Sequence, residues 1–175
     1  MEKSRIIVCS GPIATEMADQ IMELLFIYAA KDSRKPINLY INSPGGEVDA
    51  GFEIIDTMQL IEPPVNTIAT GICASMGAMI LSAGDERAAL PHARIMIHQV
   101  SSGYQGKAAD IEASAKETLR LNESALTFLA ENCGKTYDDL KKDLVSDRWM
   151  TAQEAVEYGI IDKIIESKKK KRKGE

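Results

Sequence analysis

Through its first hundred residues the chain alternates short apolar runs of β character with longer segments of helical periodicity. That rhythm restricts it to α/β folds. Arg5 to Ser10 reads as a strand. From Thr15 onward, Met17, Ile21, Leu24, Leu25 and Tyr28 recur at helical spacing. Ile37 to Ile41 is a second strand, stopped by the turn signal Asn42-Ser43-Pro44-Gly45-Gly46. Asp49 to Ile61 is amphipathic, with Phe52, Ile55, Met58 and Leu60 or Ile61 inward, and Pro63-Pro64 ends it. Val65 to Ala69 is a third strand, and Met76 to Ala83 an apolar helical turn. Arg94 to His98 is a further strand whose alternation sets His98 on the face opposite Ile95 and Ile97.

The second half departs from this rhythm. A polar connection, Ser101-Ser102-Gly103-Tyr104-Gln105-Gly106, leads into the longest helix, from about Lys107 to Asn132, closed by Gly134. That helix reads as an arm or an interface element. Thr136 with Asp139, and Thr151 with Glu154, are two further helix starts. The last helix ends at Gly159, before a strand from Ile160 to Ile165.

At 175 residues the chain is expected to form one domain, residues 1–166, burying about 70% of its unfolded surface. Aromatic content of only 5% leaves the core to aliphatic residues and methionine, which suits interleaved strands and helices. A net charge of −5 argues against a general nucleic-acid binder. Cys9, Cys73 and Cys133 are odd in number and in no metal spacing, so they read as buried thiols of a reducing compartment. No apolar run approaches membrane-spanning length, and the first residues do not form a signal peptide, so a cytoplasmic location is expected. Lys168 to Lys173 are all basic, and residues 167–175 are expected to be a disordered, solvated tail.

The chemistry points to Thr70-Gly71-Ile72-Cys73-Ala74-Ser75-Met76-Gly77-Ala78. One serine stands at a sharp strand-to-helix joint among small residues, the setting of a nucleophile elbow. There its hydroxyl projects at a helix N-terminus, where free N–H groups favour developing negative charge. A serine needs a base within hydrogen-bond reach. Only His92 and His98 exist; His92 follows Pro91 in a loop, whereas His98 ends a strand, where reactive groups of α/β sheets gather. Gly45-Gly46 follows another strand end and offers unshielded amides for an oxyanion. The carboxylate that would orient His98 stays open at this level. Asp147 is attractive because Trp149-Met150 would carry it inward, while Asp143, Asp139 and Asp162 remain in competition.

These features fall in a known pattern. Over about residues 5 to 165 the chain resembles the proteolytic subunit of the ATP-dependent Clp protease. The matching stretches are Tyr40 to Gly46, Ala74 to Ala78, Met96 to Gln99, Gly103 to Gly106 and Glu154 to Gly159, in that order. The resemblance implies Ser75 as nucleophile, His98 as general base and acid, and Asp147 as the orienting carboxylate. It implies the backbone N–H groups of Gly46 and Met76 as the oxyanion hole. Extended peptide would lie between Gly46-Glu47-Val48 and Ser101-Ser102-Gly103 as an added strand.

The implied fold is the crotonase-like α/β spiral with a protruding handle helix: a head of about residues 1–100 and 135–166 and a handle of about 101–134. The implied assembly is a heptameric ring, stacked as a tetradecamer that encloses the active sites. An AAA+ unfoldase would feed it and use the ATP, so this chain needs no cofactor and no metal.

Departures from the family pattern accompany the matches. The first strand begins at Arg5, without the usual N-terminal axial-loop segment, which bears on coupling to an unfoldase. Val145-Ser146 stands where an arginine usually precedes the aspartate and pairs across the ring interface, and Asn38 and Leu60 where aromatic residues usually line docking clefts. Val100 replaces a usual proline after His98-Gln99. Such changes suit a divergent paralogue working beside a more typical Clp subunit. The alternative reading is a catalytically silent structural subunit of a mixed ring, against which all three triad positions speak. A crotonase-type acyl-CoA enzyme would share the fold, but needs carboxylates where this chain places Ser75 and His98.

Overall fold

The strand–helix alternation is realised as one seven-stranded sheet that forks at its third strand. The computed structural model describes residues 5–166, so the basic run at Lys168 to Lys173 lies outside the described residues. In chain order the elements begin β1 (Ile6–Ser10), α1 (Thr15–Lys31), β2 (Ile37–Ser43), α2 (Val48–Leu60), β3 (Val65–Ala74) and α3 (Met76–Ser82). There follow β4 (Arg87–Ala89), β5 (Arg94–Ile97), α4 (Ala108–Cys133), α5 (Tyr137–Asp143), β6 (Arg148–Thr151), α6 (Ala152–Tyr158) and β7 (Lys163–Ile164). The class is α/β.

Helix stripes pack as their periodicity requires. α1 buries Ala18, Ile21, Leu25 and Tyr28, while Leu24 turns outward. α2 buries Ala50, Gly51, Ile54, Ile55 and Met58. Of the two residues expected at its inner end, Ile61 packs against the core and Leu60 is 73% exposed. One helical residue turns the chain by about 100°, so the stripe through 54 and 58 reaches residue 61 and passes over residue 60.

β1, β2, β3, β4 and β7 follow one another in parallel, and the core of Ile7, Ile37, Leu39, Ile41, Ile80 and Leu81 lies along them. β3 runs well past the Ala69 at which the apolar run stops. Its register on β2 slips between Ile41↔Ala69 and Ser43↔Cys73. Two side chains hold the bend: Thr70 Oγ1 donates to Ile41 O at 3.1 Å, and Ile72 N–H donates to Asn42 Oδ1 at 3.0 Å. A Cβ at Gly71 would overlap Asn42 Oδ1, so any other residue there has to displace the Asn42 carboxamide. Before the bend β3 pairs with β4 through Thr67–Ala69; after it, β3 pairs with β5 through Ile72–Ala74. β5 in turn pairs antiparallel with β6.

Arg87 ties the far end of the sheet to two helix ends. Its Nη1 donates to Asn132 O at 2.7 Å and Gly159 O at 2.9 Å, near the C-termini of α4 and α6, where a cation is favoured. Its Nε donates to Asp162 Oδ2 at 3.2 Å. The strand expected from Ile160 to Ile165 is shorter because the N–H groups of Ile160 and Ile161 turn back to Ala155 O at the end of α6. Both residues are buried, but only Lys163 and Ile164 join the sheet.

Two outcomes follow. Gly71→Ala, which displaces the Asn42 carboxamide, and Asn42→Ala, which removes the acceptor for Ile72 N–H, each lower stability by about 0.5–1.5 kcal/mol in chemical denaturation. The Arg87 hydrogen bonds hold the Asp162 carboxyl below its usual value of 3.8. A depressed folded-state value contributes stability above the unfolded one and loses it as pH falls. Asp162→Asn therefore melts below the parent at neutral pH, and the difference shrinks as pH drops below 3.8.

Candidate active site

Each candidate catalytic side chain sits where a strand of the fork ends. Ser75 follows β3, and its N–H donates to Met96 O at 2.9 Å, continuing the parallel pairing Ala74↔Met96. It then caps α3 with φ +55° and ψ −124°, a backbone conformation that costs a non-glycine residue about 1–3 kcal/mol. Surrounding bonds impose it: the N–H groups of Ala78 and Met79 both donate to Ser75 O, at 2.9 and 3.1 Å. Packing does the rest. A Cβ on Gly45 would stand 2.6 Å from Ser75 Cβ and 2.8 Å from Ala74 O.

His98 is the first residue beyond β5 rather than its last, and its Nε2 lies 2.8 Å from Ser75 Oγ. Asp147 immediately precedes β6. The antiparallel register ends at Ile97↔Arg148, so one further step sets His98 opposite Asp147. Asp147 Oδ1 stands 3.8 Å from His98 Nδ1, beyond hydrogen-bond length. Asp147 is 61% exposed at its side chain, His98 23%.

The apolar pair expected to carry Asp147 inward does not do so. Met150 is buried, but Trp149 is 49% exposed, its ring 5.3 Å from the Arg94 guanidinium. Asp147 arrives through strand pairing instead. The competing carboxylates are engaged elsewhere: Asp143 accepts from Tyr158 Oη at 2.8 Å, Asp139 from Thr136 Oγ1 at 2.8 Å, and Asp162 from Arg87.

Two backbone amides stand at the same cavity as Ser75 and His98. Ile13 N–H donates to Gly45 O and Glu47 N–H to Ile13 O, both at 2.9 Å, a parallel bridge that turns the N–H of Gly46 away from Ile13. Any Cβ on Gly46 would overlap Ile13 O. Met76 opens α3, where an N–H has no carbonyl one turn earlier to bond. Gly46 and Met76 line, with Ser75 and His98, a cavity of about 300 Å³. Its deeper wall is apolar, formed by Met79, Ala125, Leu126 and Leu129.

α4 supplies three of those wall residues, a contribution the sequence reading missed. Its signal was the helical spacing of Ala125, Leu126, Leu129 and Ala130. In the structure these four are buried, the first half of α4 is largely exposed, and Phe128 meets Phe52 edge-on at 6.0 Å. Of the residues expected to flank a peptide, Gly46, Val48 and Ser101 line the cavity. The other three lie outside its wall. Glu47 accepts from Thr15 Oγ1 at 3.2 Å, Ser102 shares a hydrogen bond with Thr118 at 3.1 Å, and Gly103 faces open space.

The thiols offer no rival nucleophile. Burial pushes Cys9 and Cys133 up to about 11, and raises the wholly buried Cys73 as well, so all three stay protonated at neutral pH. Among the described residues no group of three or more His, Cys, Asp and Glu side chains could hold a metal ion, and no helix is long and apolar enough to cross a membrane.

The family model described as Clp protease matches residues 1–168. The crowding behind the elbow carries its own expectation. Gly45→Ala lowers the thermal midpoint clearly, whereas Gly103→Ala, which meets nothing within 4 Å, leaves it near the parent's; equal midpoints for the two variants would contradict the packing described.

Proposed function

The chain belongs to the Clp protease family, and we propose that it is the serine endopeptidase subunit of a self-compartmentalised, ATP-dependent Clp-type protease. The observation that carries this reading is the 2.8 Å contact between His98 Nε2 and Ser75 Oγ at a strained elbow beside two free amides. With its proton on Nδ1, His98 accepts the Ser75 hydroxyl proton at Nε2 as Oγ attacks the scissile carbonyl. The N–H groups of Gly46 and Met76 hold the resulting oxyanion. His98 then protonates the leaving amine, and water, deprotonated in turn by His98, releases the acyl-enzyme. Asp147 stabilises the imidazolium formed in each half-reaction. The apolar wall of the cavity receives the side chain before the cleaved bond. The Gly46 and Ser101 segments flank an extended peptide.

The assembly is part of the proposal. Heptameric rings stacked as a tetradecamer, with the exposed first half of α4 as handle, would enclose the sites. Polypeptide would be delivered by an AAA+ unfoldase that uses the ATP, in the cytoplasm. Phe26 on α1 and the exposed Leu60 on α2 line one surface hollow, which supports docking of a partner there.

One observation favours the second reading, a silent structural subunit: the 3.8 Å separation that leaves Asp147 short of His98. A serine-directed fluorophosphonate separates the two. The endopeptidase reading expects one covalent adduct on Ser75 of the assembled protein. It also expects Ser75→Ala to lower peptide turnover by on the order of 10⁴ or more with assembly intact. No adduct in any assembly state, or turnover retained by Ser75→Ala, removes it.

A further inference from the structure

Past Ile97 and Arg148 the β5–β6 ladder stops, and both chains leave the sheet carrying His98 and Asp147. What spans them there is a chain of carboxamides. Gln99 Nε2 donates to Leu144 O at 3.0 Å. Asn122 Oδ1, on α4, accepts from Val100 N–H at 2.9 Å, and Asn122 Nδ2 donates to Gln99 Oε1 at 3.5 Å. Leu144 is the buried C-cap of α5, separated from Asp147 only by Val145 and Ser146, and Val145 is 84% exposed.

We propose that Gln99 and Asn122 are positioning residues that set the distance between His98 and Asp147. The proposal rests on the serine-peptidase reading above. The loop's two flanks also meet through Tyr158, whose Oη donates to Asp143 at 2.8 Å and whose ring lies 4.6 Å from the Arg148 guanidinium. But it is Gln99 and Asn122 that tie the loop to the segment bearing His98. Asp147 is mostly exposed and bonded to no donor, and Val145 buries almost nothing, so the loop is anchored by Leu144 at one end and β6 at the other. The Gln99 amide fastens the Leu144 end to the residue next to His98. Asn122 fastens that same segment to α4 where the helix first meets the body of the protein. Both amides are used at both ends, so each has one orientation that satisfies the set. Closing the 3.8 Å separation to a hydrogen bond needs a shift of under about 1 Å, and misplacements of that size change rates by up to roughly 100-fold.

The strap is not a general packing element, which makes it testable apart from stability. Asn122→Ala removes the acceptor for Val100 N–H, whereas Asn122→Asp keeps an oxygen there but loses the donor to Gln99 Oε1. Gln99→Ala removes the bond to Leu144 O, and Gln99→Glu sets a carboxylate oxygen against that carbonyl. Steady-state kinetics on a fluorogenic peptide, the rate of Ser75 acylation by a fluorophosphonate, and amide exchange over residues 97–101 and 144–149 are measured on the assembled protein.

The expected result is a roughly 10- to 100-fold fall in kcat and in acylation rate for Asn122→Ala, Gln99→Ala and Gln99→Glu. KM stays within about twofold, Asn122→Asp recovers only part of the loss, and exchange rises in both segments. Parent-like kcat and exchange in the alanine variants would overturn the proposal, as would a loss carried by KM alone. A parent that fails to react with the probe overturns the peptidase reading instead. The exchange measurement still decides the strap, because faster exchange in Asn122→Ala does not depend on turnover.

Discussion

The position of β5 governs everything chemical in this molecule. It lies parallel to the second half of β3 and antiparallel to β6, so one short strand fixes the register of two others. Ser75 sits one step beyond the pairing Ala74↔Met96, and Asp147 one step before Arg148↔Ile97. His98, one step beyond β5, is thereby placed between them. Side chains far apart in sequence meet because backbone ladders bring them together, and a slip of one residue would turn His98 to the opposite face.

That arrangement depends on β3 bending where it does. A straight strand would continue beside β4, leaving no edge for β5. The bend at Thr70–Ile72 is held by hydrogen bonds to Ile41 and Asn42, and the missing side chain of Gly71 makes room for the Asn42 carboxamide. The same turn that begins at Asn42 delivers Gly45 and Gly46 against the elbow. Asn42 braces the strand bearing the serine, Gly45 admits the serine's Cβ, and Gly46 turns an amide toward the cavity. The strained backbone of Ser75 is stable only because these neighbours leave it no alternative.

Much of this was legible in the residues. The α/β class, the elbow at Ser75, the pairing of that serine with His98 and the glycine turn all follow from local pattern and from there being only two histidines. What was not legible is non-local. The ten-residue β3 runs past Ala69, where the apolar run stops, because bonds to Ile41 and Asn42 and the pairing with β5 carry it on. β4 and β6, of three and four residues, are too short to register as strands. Asp147 reached the site for a reason the sequence could not supply, since Trp149 is out in solvent and the work is done by ladder register. Gln99 stood inside a recognised motif without a role, and nothing in a helical stretch marks Asn122 as the residue that would meet Val100.

The most direct test of the account is a crystal structure of the assembled protein treated with a peptidyl boronate. A tetrahedral boron bonded to Ser75 Oγ is expected, with one oxygen within hydrogen-bond length of the amides of Gly46 and Met76 and His98 Nε2 within reach of the adduct. An adduct whose oxygens point away from both amides, or a His98 ring turned from Ser75 in every subunit, would contradict it.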